Sequence, residues 1–216
     1  RGASPALLGK CAEYGKPFTF LSRSGRFLAR SEGEAGGNVL LRREQYRRAD
    51  SEAQSLDIAR GFIVGKLFNS RYVVERAVRD HALRLDAEKL RRCSQFLSGS
   101  VEQALCAADR DSLRGIEGEA AKGYFSVFNE LILQQNEDFV FSGRNRRPPL
   151  DRVNALLSFA YALSAGMCAS ALASVGLDPY VGFMHADRPG RRSLALDIME
   201  EFRAVMCDRF ALMLIN

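Results

Sequence analysis

From about Leu40 to Leu214 apolar residues recur at intervals of three and four, as in Leu56, Ala59, Phe62, Ile63, Lys66 and Leu67. That is the period of one helix face, not of a strand. Helical segments are expected over residues 73–85, 87–108, 113–134, 150–175 and 194–214. Gly143 with Pro148-Pro149, Gly176 with Pro179, and Pro189-Gly190 punctuate the loops between them. Ahead of this stretch the texture differs. Residues 3–14 read as a short helix with Ser4 as cap and Pro5 in its first turn. Two β-type runs follow, 17–21 and 26–29, separated by 22–25, and then a Gly-rich stretch over 32–38. One helix and two strands enclose too little apolar surface to stand as a domain. The expectation is a mainly α protein: a helical domain over 40–216 behind a remnant, 1–39, of a β-rich α/β domain. The first residue is Arg1 rather than Met, so the chain reads as a fragment or as one shortened upstream.

The 216 residues are 47% hydrophobic and 26% charged, as in an ordinary globular protein with a core. Lys and Arg total 31 against 26 Asp and Glu, a surplus of +5 that favours a polyanionic partner without specifying one. The five cysteines, 11, 93, 106, 168 and 207, are widely spaced. They read as reduced, mostly buried thiols of a cytoplasmic protein rather than a zinc or redox motif. By this reading no stretch reaches the roughly 18 apolar residues of a membrane span, so no membrane association is expected, and no signal-peptide pattern opens the chain.

The run from Gly61 to Leu67 hints at a phosphate loop, but it is one residue too short. Leu67 stands where a metal-binding hydroxyl is needed, and the run lies inside a helical pattern. It is rejected. On a helix, Glu117 shares a face with Ala121, Tyr124 and Phe128 and points inward, whereas Glu119 points to solvent. An inward acid is costly unless paired or metal-bound; the alternative is a glutamate favouring the positive end of its helix. His185 closes the apolar run from Val181, and reads either as a hydrogen-bonded core histidine or as a metal ligand. His81 reads as a surface residue. Asp197 and Glu200 lie one turn apart on a helix, close enough to repel, and a divalent cation would relieve them; Glu201 reads as solvated. Such mixed oxygen and nitrogen donors suit Mn²⁺ or Mg²⁺. Basic residues cluster at Arg42-Arg43 and Arg47-Arg48, at Arg144, Arg146 and Arg147, and at Arg188, Arg191 and Arg192, as phosphate contacts or as solvated faces.

The segments RGIEGEAAKGYF, RRPPLDRVNALLSFAYAL and VGFMHADRPGRRSLALDIMEEFRA, in this order and at these separations, resemble the CRISPR adaptation integrase/endonuclease family, most nearly its subtype I-C form. The resemblance implies Glu117, His185 and Glu200 as metal ligands, with Asp197 the first of a pair of acids that Glu200 completes. Many family members carry aspartate at the second position. It further implies a catalytic role for the helical domain and dimerisation through the β-rich one. The implied partners are double-stranded DNA (the fragment to be inserted and the CRISPR repeat), a second copy of the chain, and a small ferredoxin-like adaptor. The implied reaction is attack by the 3′-hydroxyl of a foreign DNA fragment on a phosphodiester at the repeat, with Arg144, Arg146 and Arg147 holding the backbone. Cleavage follows if water is the nucleophile. Two competing functions are a non-catalytic basic DNA-binding scaffold and a metal-dependent phosphohydrolase acting on small esters.

Overall fold

A computed structural model describes residues 2–23, 27–31, 33, 38–146 and 148–216. Arg147, Arg26 and most of the Gly-rich stretch (32 and 34–37) lie outside the described residues. The short first helix, α1 (Pro5–Glu13), begins as expected, with the Ser4 hydroxyl accepting from the Leu7 amide and Pro5 in the first turn. Strands β1 (Phe18–Leu21) and β2 (Phe27–Ser31) pair antiparallel with Phe18 opposite Ser31 and a bulge at Phe20/Leu21. They are the two strands among the described residues. The remaining elements among the described residues are helices, so the mainly α expectation holds.

Two helices follow, α2 (Val39–Asp50) and the 30-residue α3 (Glu52–His81). The sequence periodicity, read as separate stretches either side of residues 68–72, becomes one helix. Leu67, Ser70, Val73 and Val74 keep the stripe buried, while Phe68 and Tyr72 turn to its outer face. At 1.5 Å per residue α3 is roughly 45 Å long. It is the spine of the molecule, packing against α2, α4 (Ala87–Leu105), α5 (Arg110–Ser126) and α7 (Ser193–Phe202). Asp86, Asp109 and Asp151 cap α4, α5 and α6 (Arg152–Ser174), each accepting a backbone N–H three residues on.

The helix expected over 113–134 stops at Ser126. Phe128 is fully buried against Tyr124, Phe125 and Phe141, at ring separations of 5.0–5.9 Å, and the chain turns through a 3₁₀ segment, Phe128–Leu131, to place it there. Asn129 then accepts from the Phe141 amide at 3.0 Å. The helix expected over 194–214 is interrupted as well. Between α7 and α8 (Arg209–Ile215) lies a π-helical segment, Arg203–Asp208, whose wider turn keeps Arg203 and Asp208 both on the buried side.

Helix α6 corrects the sequence reading of membrane segments: among the described residues it alone is long and apolar enough to cross a bilayer, with mean hydropathy 1.6 over its most apolar window. It is nonetheless packed. Val153, Leu157, Ala160 and Tyr161 are buried against α7, the π segment and α8. The five cysteines are unpaired, but only Cys93 and Cys207 are buried, fewer than expected. The division of α6 into a packed and an outer face is testable. Leu157→Ala removes a side chain with no exposure and should cost about 2–5 kcal/mol. Met167→Ala, at a side chain 62% exposed, should stay within about 0.5 kcal/mol. Urea unfolding measures both, and equal effects would contradict the packing described.

Candidate active site

Midway along α3, Lys66 turns inward and its side chain is only 10% exposed. Its ammonium donates to Glu117 Oε1, from α5, and lies 2.7 Å from Glu200 Oε2, from α7. Three helices therefore meet through one cation and two carboxylates. Arg203 adds a second cation, its Nη1 2.6 Å and 2.7 Å from the two Glu200 oxygens. The Arg203 guanidinium rests 4.3 Å from the centre of the Tyr161 ring, and Tyr161 donates its hydroxyl hydrogen to Asp208. Burial would raise the Glu200 pKa, but Lys66 and Arg203 outweigh it and hold the carboxyl at about 2. Burial dominates at Asp208, whose carboxyl is raised despite its Tyr161 and Arg203 partners.

Asp197, one turn before Glu200, has a different task. It is fully buried, and its Oδ2 accepts the Phe183 and Met184 amides at 2.6 and 3.0 Å. Its Oδ1 accepts the His185 amide at 2.9 Å and meets His185 Nδ1 at 2.6 Å. One carboxylate thus fixes three consecutive amides and the imidazole. With Nδ1 turned to the carboxylate, Nε2 is the nitrogen left for a ligand. The loop carrying His185 is tied at two further points. Gln45 of α2 donates to the Asp178 and Val181 carbonyls (2.8 and 2.9 Å) and accepts the Asp178 amide (2.8 Å). Ser55 of α3 donates to the Phe183 carbonyl at 3.1 Å. Gly182 leaves no room for a side chain: a Cβ there would lie 2.7 Å from Ser193 Cβ and 2.9 Å from Asp197 Oδ2.

The predicted ligands fall into two sets, Glu117 with Glu200 around Lys66, and His185 with Asp197. Among the described residues no group of three or more His, Cys, Asp and Glu is drawn closely enough together to hold a metal. The repulsion expected between Asp197 and Glu200 is relieved separately, by amides and an imidazole at one and by two cations at the other. Glu119 and His81 are exposed as expected. Glu201 is not: it is half-buried, with its side chain packed over Gly65. The rejected phosphate loop lies wholly within α3.

A cavity of about 450 Å³ opens beside Lys66 and Glu117, bordered by Lys122, Arg144 and Arg146. Arg144 is held inward, donating to Asn154 Oδ1 (2.7 Å) and Ser158 (3.2 Å) and lying over the Tyr161 ring. Arg146 and Lys122 are exposed. Arg188 is exposed, Arg191 half-buried, and Arg192 stacks 4.5 Å from the centre of the Phe27 ring in the N-terminal hairpin. A larger cavity, about 640 Å³, reaches Met184 and Ala186, but its arginines 60, 110 and 114 already face Asp57, Glu52 and Asp111. Sequence reasoning overlooked Lys66, Arg203, Gln45 and Ser55. The signal for Lys66 was its place within an apolar stripe.

Two measurements probe this geometry. Asp197→Asn sets an amide group against backbone donors and should cost about 1–3 kcal/mol for each partner lost, read from denaturant unfolding. Glu200, depressed in the folded state, contributes stability that is complete above its ordinary value of 4.5 and fades as pH falls towards 2. The stability gap between wild type and Glu200→Gln should therefore narrow over that range, and a gap independent of pH would contradict the pairing.

Comparison with known proteins gives this arrangement a family. The family described as CRISPR associated protein Cas1 matches residues 2–216. The CRISPR-associated endonuclease Cas1 1 of Chlorobaculum tepidum is 54% identical over 213 residues, 99% of this chain and 62% of that protein. The chain therefore spans about three-fifths of the length of that relative. A solved CAS1 protein from Thermotoga maritima is 26% identical with a TM-score of 0.78, covering 99% of this chain and 64% of that one. A chain of a Cas6-RT-Cas1–Cas2 complex is 28% identical with a TM-score of 0.76, covering 99% and 23% respectively. The chain belongs to the Cas1 family of CRISPR-associated proteins.

Proposed function

We propose that this chain carries the metal-dependent centre of a DNA integrase and endonuclease that inserts foreign DNA fragments into a CRISPR array. The observation that carries the reading is the convergence of Glu117 and Glu200, from separate helices, on one cationic point beside a basic cavity. The ammonium there stands where a hard cation would, and oxygen donors with an imidazole suit Mn²⁺ or Mg²⁺. Glu117 and Glu200 would hold the ion, and His185, which Asp197 holds apart from them in this structure, would have to bring Nε2 across to serve as the third ligand. When bound, a divalent ion supplies charge to a phosphodiester and lowers the pKa of an attacking hydroxyl or water.

The remaining work falls to the chain's own residues. Asp197 fixes the imidazole and the amides around it. Arg203 holds Glu200 from behind. Arg146, Lys122 and Arg188 offer exposed charge to a DNA backbone, whereas Arg144 supports the Arg146 loop through Asn154 and Tyr161. Arg191 and Arg147 belong to the same basic set by sequence. The substrate is double-stranded DNA, both the inserted fragment and the CRISPR repeat. The solved Cas6-RT-Cas1–Cas2 complex supports Cas2 as the adaptor partner; a ferredoxin-like form for that adaptor and a homodimer complete the reading. So do a cytoplasmic setting and a boundary near residue 39/40 between the dimerisation segment and the catalytic domain.

The test is strand transfer of a DNA fragment into a repeat-containing plasmid, with Mn²⁺ and the adaptor present. Glu117→Ala and His185→Ala should lose more than the roughly 10–100-fold that removing an outer partner costs a metal site. Normal integration by either variant overturns the mechanism. Salt-sensitive DNA binding with no calorimetric Mn²⁺ binding returns the reading to a basic scaffold. Turnover of an aryl phosphate regardless of DNA returns it to a small-ester hydrolase.

A further inference from the structure

The point on which Glu117 and Glu200 converge is already taken by the Lys66 ammonium, and Arg203, against the other side of Glu200, also faces the buried Asp208. A divalent cation entering between the same carboxylate oxygens would meet that ammonium at contact distance and, with both side-chain cations kept, would leave the largely buried cluster with a positive excess. Water-poor surroundings make such an excess expensive. One cation has to withdraw. Arg203 is poorly placed to do so, being 7% exposed, bonded to both Glu200 oxygens and stacked on Tyr161. Lys66 is well placed. Its ammonium is a compact charge on a flexible four-carbon stem, and the 450 Å³ cavity that both Lys66 and Arg203 border gives that stem room to swing.

We infer that Lys66 is an exchangeable internal counter-ion, bridging Glu117 and Glu200 in the metal-free protein and leaving for the adjacent cavity when a divalent cation takes its place. The inference rests on the proposed reading of Glu117 and Glu200 as metal ligands. It makes Lys66 a positioning residue. In the metal-free protein the ammonium keeps two acids on different helices aimed at one point, and after exchange it adds a positive charge to the wall that faces an anionic phosphate. Binding of the divalent ion and of an anion in the cavity then favour one another, because the first frees the lysine that assists the second.

The experiment is calorimetric titration of the 216-residue chain with Mn²⁺. Lys66→Gln, which removes the competing charge, should bind Mn²⁺ about tenfold tighter or better, while Lys66→Arg, which keeps it, should bind no tighter than wild type. Unchanged or weaker binding by Lys66→Gln overturns the exchange. Should that variant not fold, labelling of the wild-type chain with an amine-acylating reagent decides the matter. Lys66 should be protected without metal and become several-fold more reactive with Mn²⁺, and equal labelling in both states overturns the inference. Glu117→Gln and Glu200→Gln serve as the separate control. Wild-type Mn²⁺ affinity in both defeats the ligand reading itself, whereas lost affinity in them without a gain in Lys66→Gln defeats the exchange alone.

Discussion

Buried charge is the constraint on which this structure turns. Taking an ion out of water costs several kcal/mol even after relaxation, and only good geometry with further hydrogen bonds offsets it. This protein places Lys66, Glu200, Arg203, Asp197 and Asp208 out of solvent and Glu117 partly so. Each is satisfied, but only in one relative placement of α3, α5, α7 and the π segment. The apolar stripe of α3 holds these helices together without specifying their rotation. The ammonium of Lys66, reaching two acids at once, does specify it. Packing supplies the cohesion, and polar pairing selects the register.

The His185 loop follows the same economy. A loop of irregular backbone carries amides and carbonyls that no ladder satisfies, and buried ones need partners. Asp197 answers three amides, Gln45 two carbonyls and an amide, and Ser55 one carbonyl. The imidazole is thereby held by the same carboxylate that holds its own backbone, so the ring and the loop cannot be displaced independently. Gly182 is needed because Ser193 and Asp197 press against the loop at that point.

Much of the architecture was legible in the sequence. The spacing of three and four gave the helices, the Ser4-Pro5 pair gave the first helix start, and the short β-type runs gave the hairpin. The errors have physical causes. Phe128 obeys a helical period by sequence, but its burial among three other rings turns the chain instead. The π turn at Arg203–Asp208 arises where a buried cation and acid must lie on one side, which no local propensity announces. The apolar length of α6 was missed because Ser158, Ser164 and Ser170 break up its run, although Arg152 is the one charged residue in it. At the site, inward acids could be suspected from their helix faces, but their partners could not. Nothing in the spacing couples Lys66 to residues 51 and 134 positions away, because only tertiary packing brings them together.

The contact between Arg192 and Phe27 carries a mechanical consequence. Arg192 immediately precedes α7, so the hairpin touches the residue that leads into the helix bearing Asp197 and Glu200. Gln45 anchors the opposite end of the same loop to α2. The segment bearing His185 is thus held between two supports, Phe27 in the hairpin and Gln45 on α2. A tilt of the hairpin would pull on this span where Arg192 meets Phe27, a mechanical route from the hairpin to the loop that carries the imidazole.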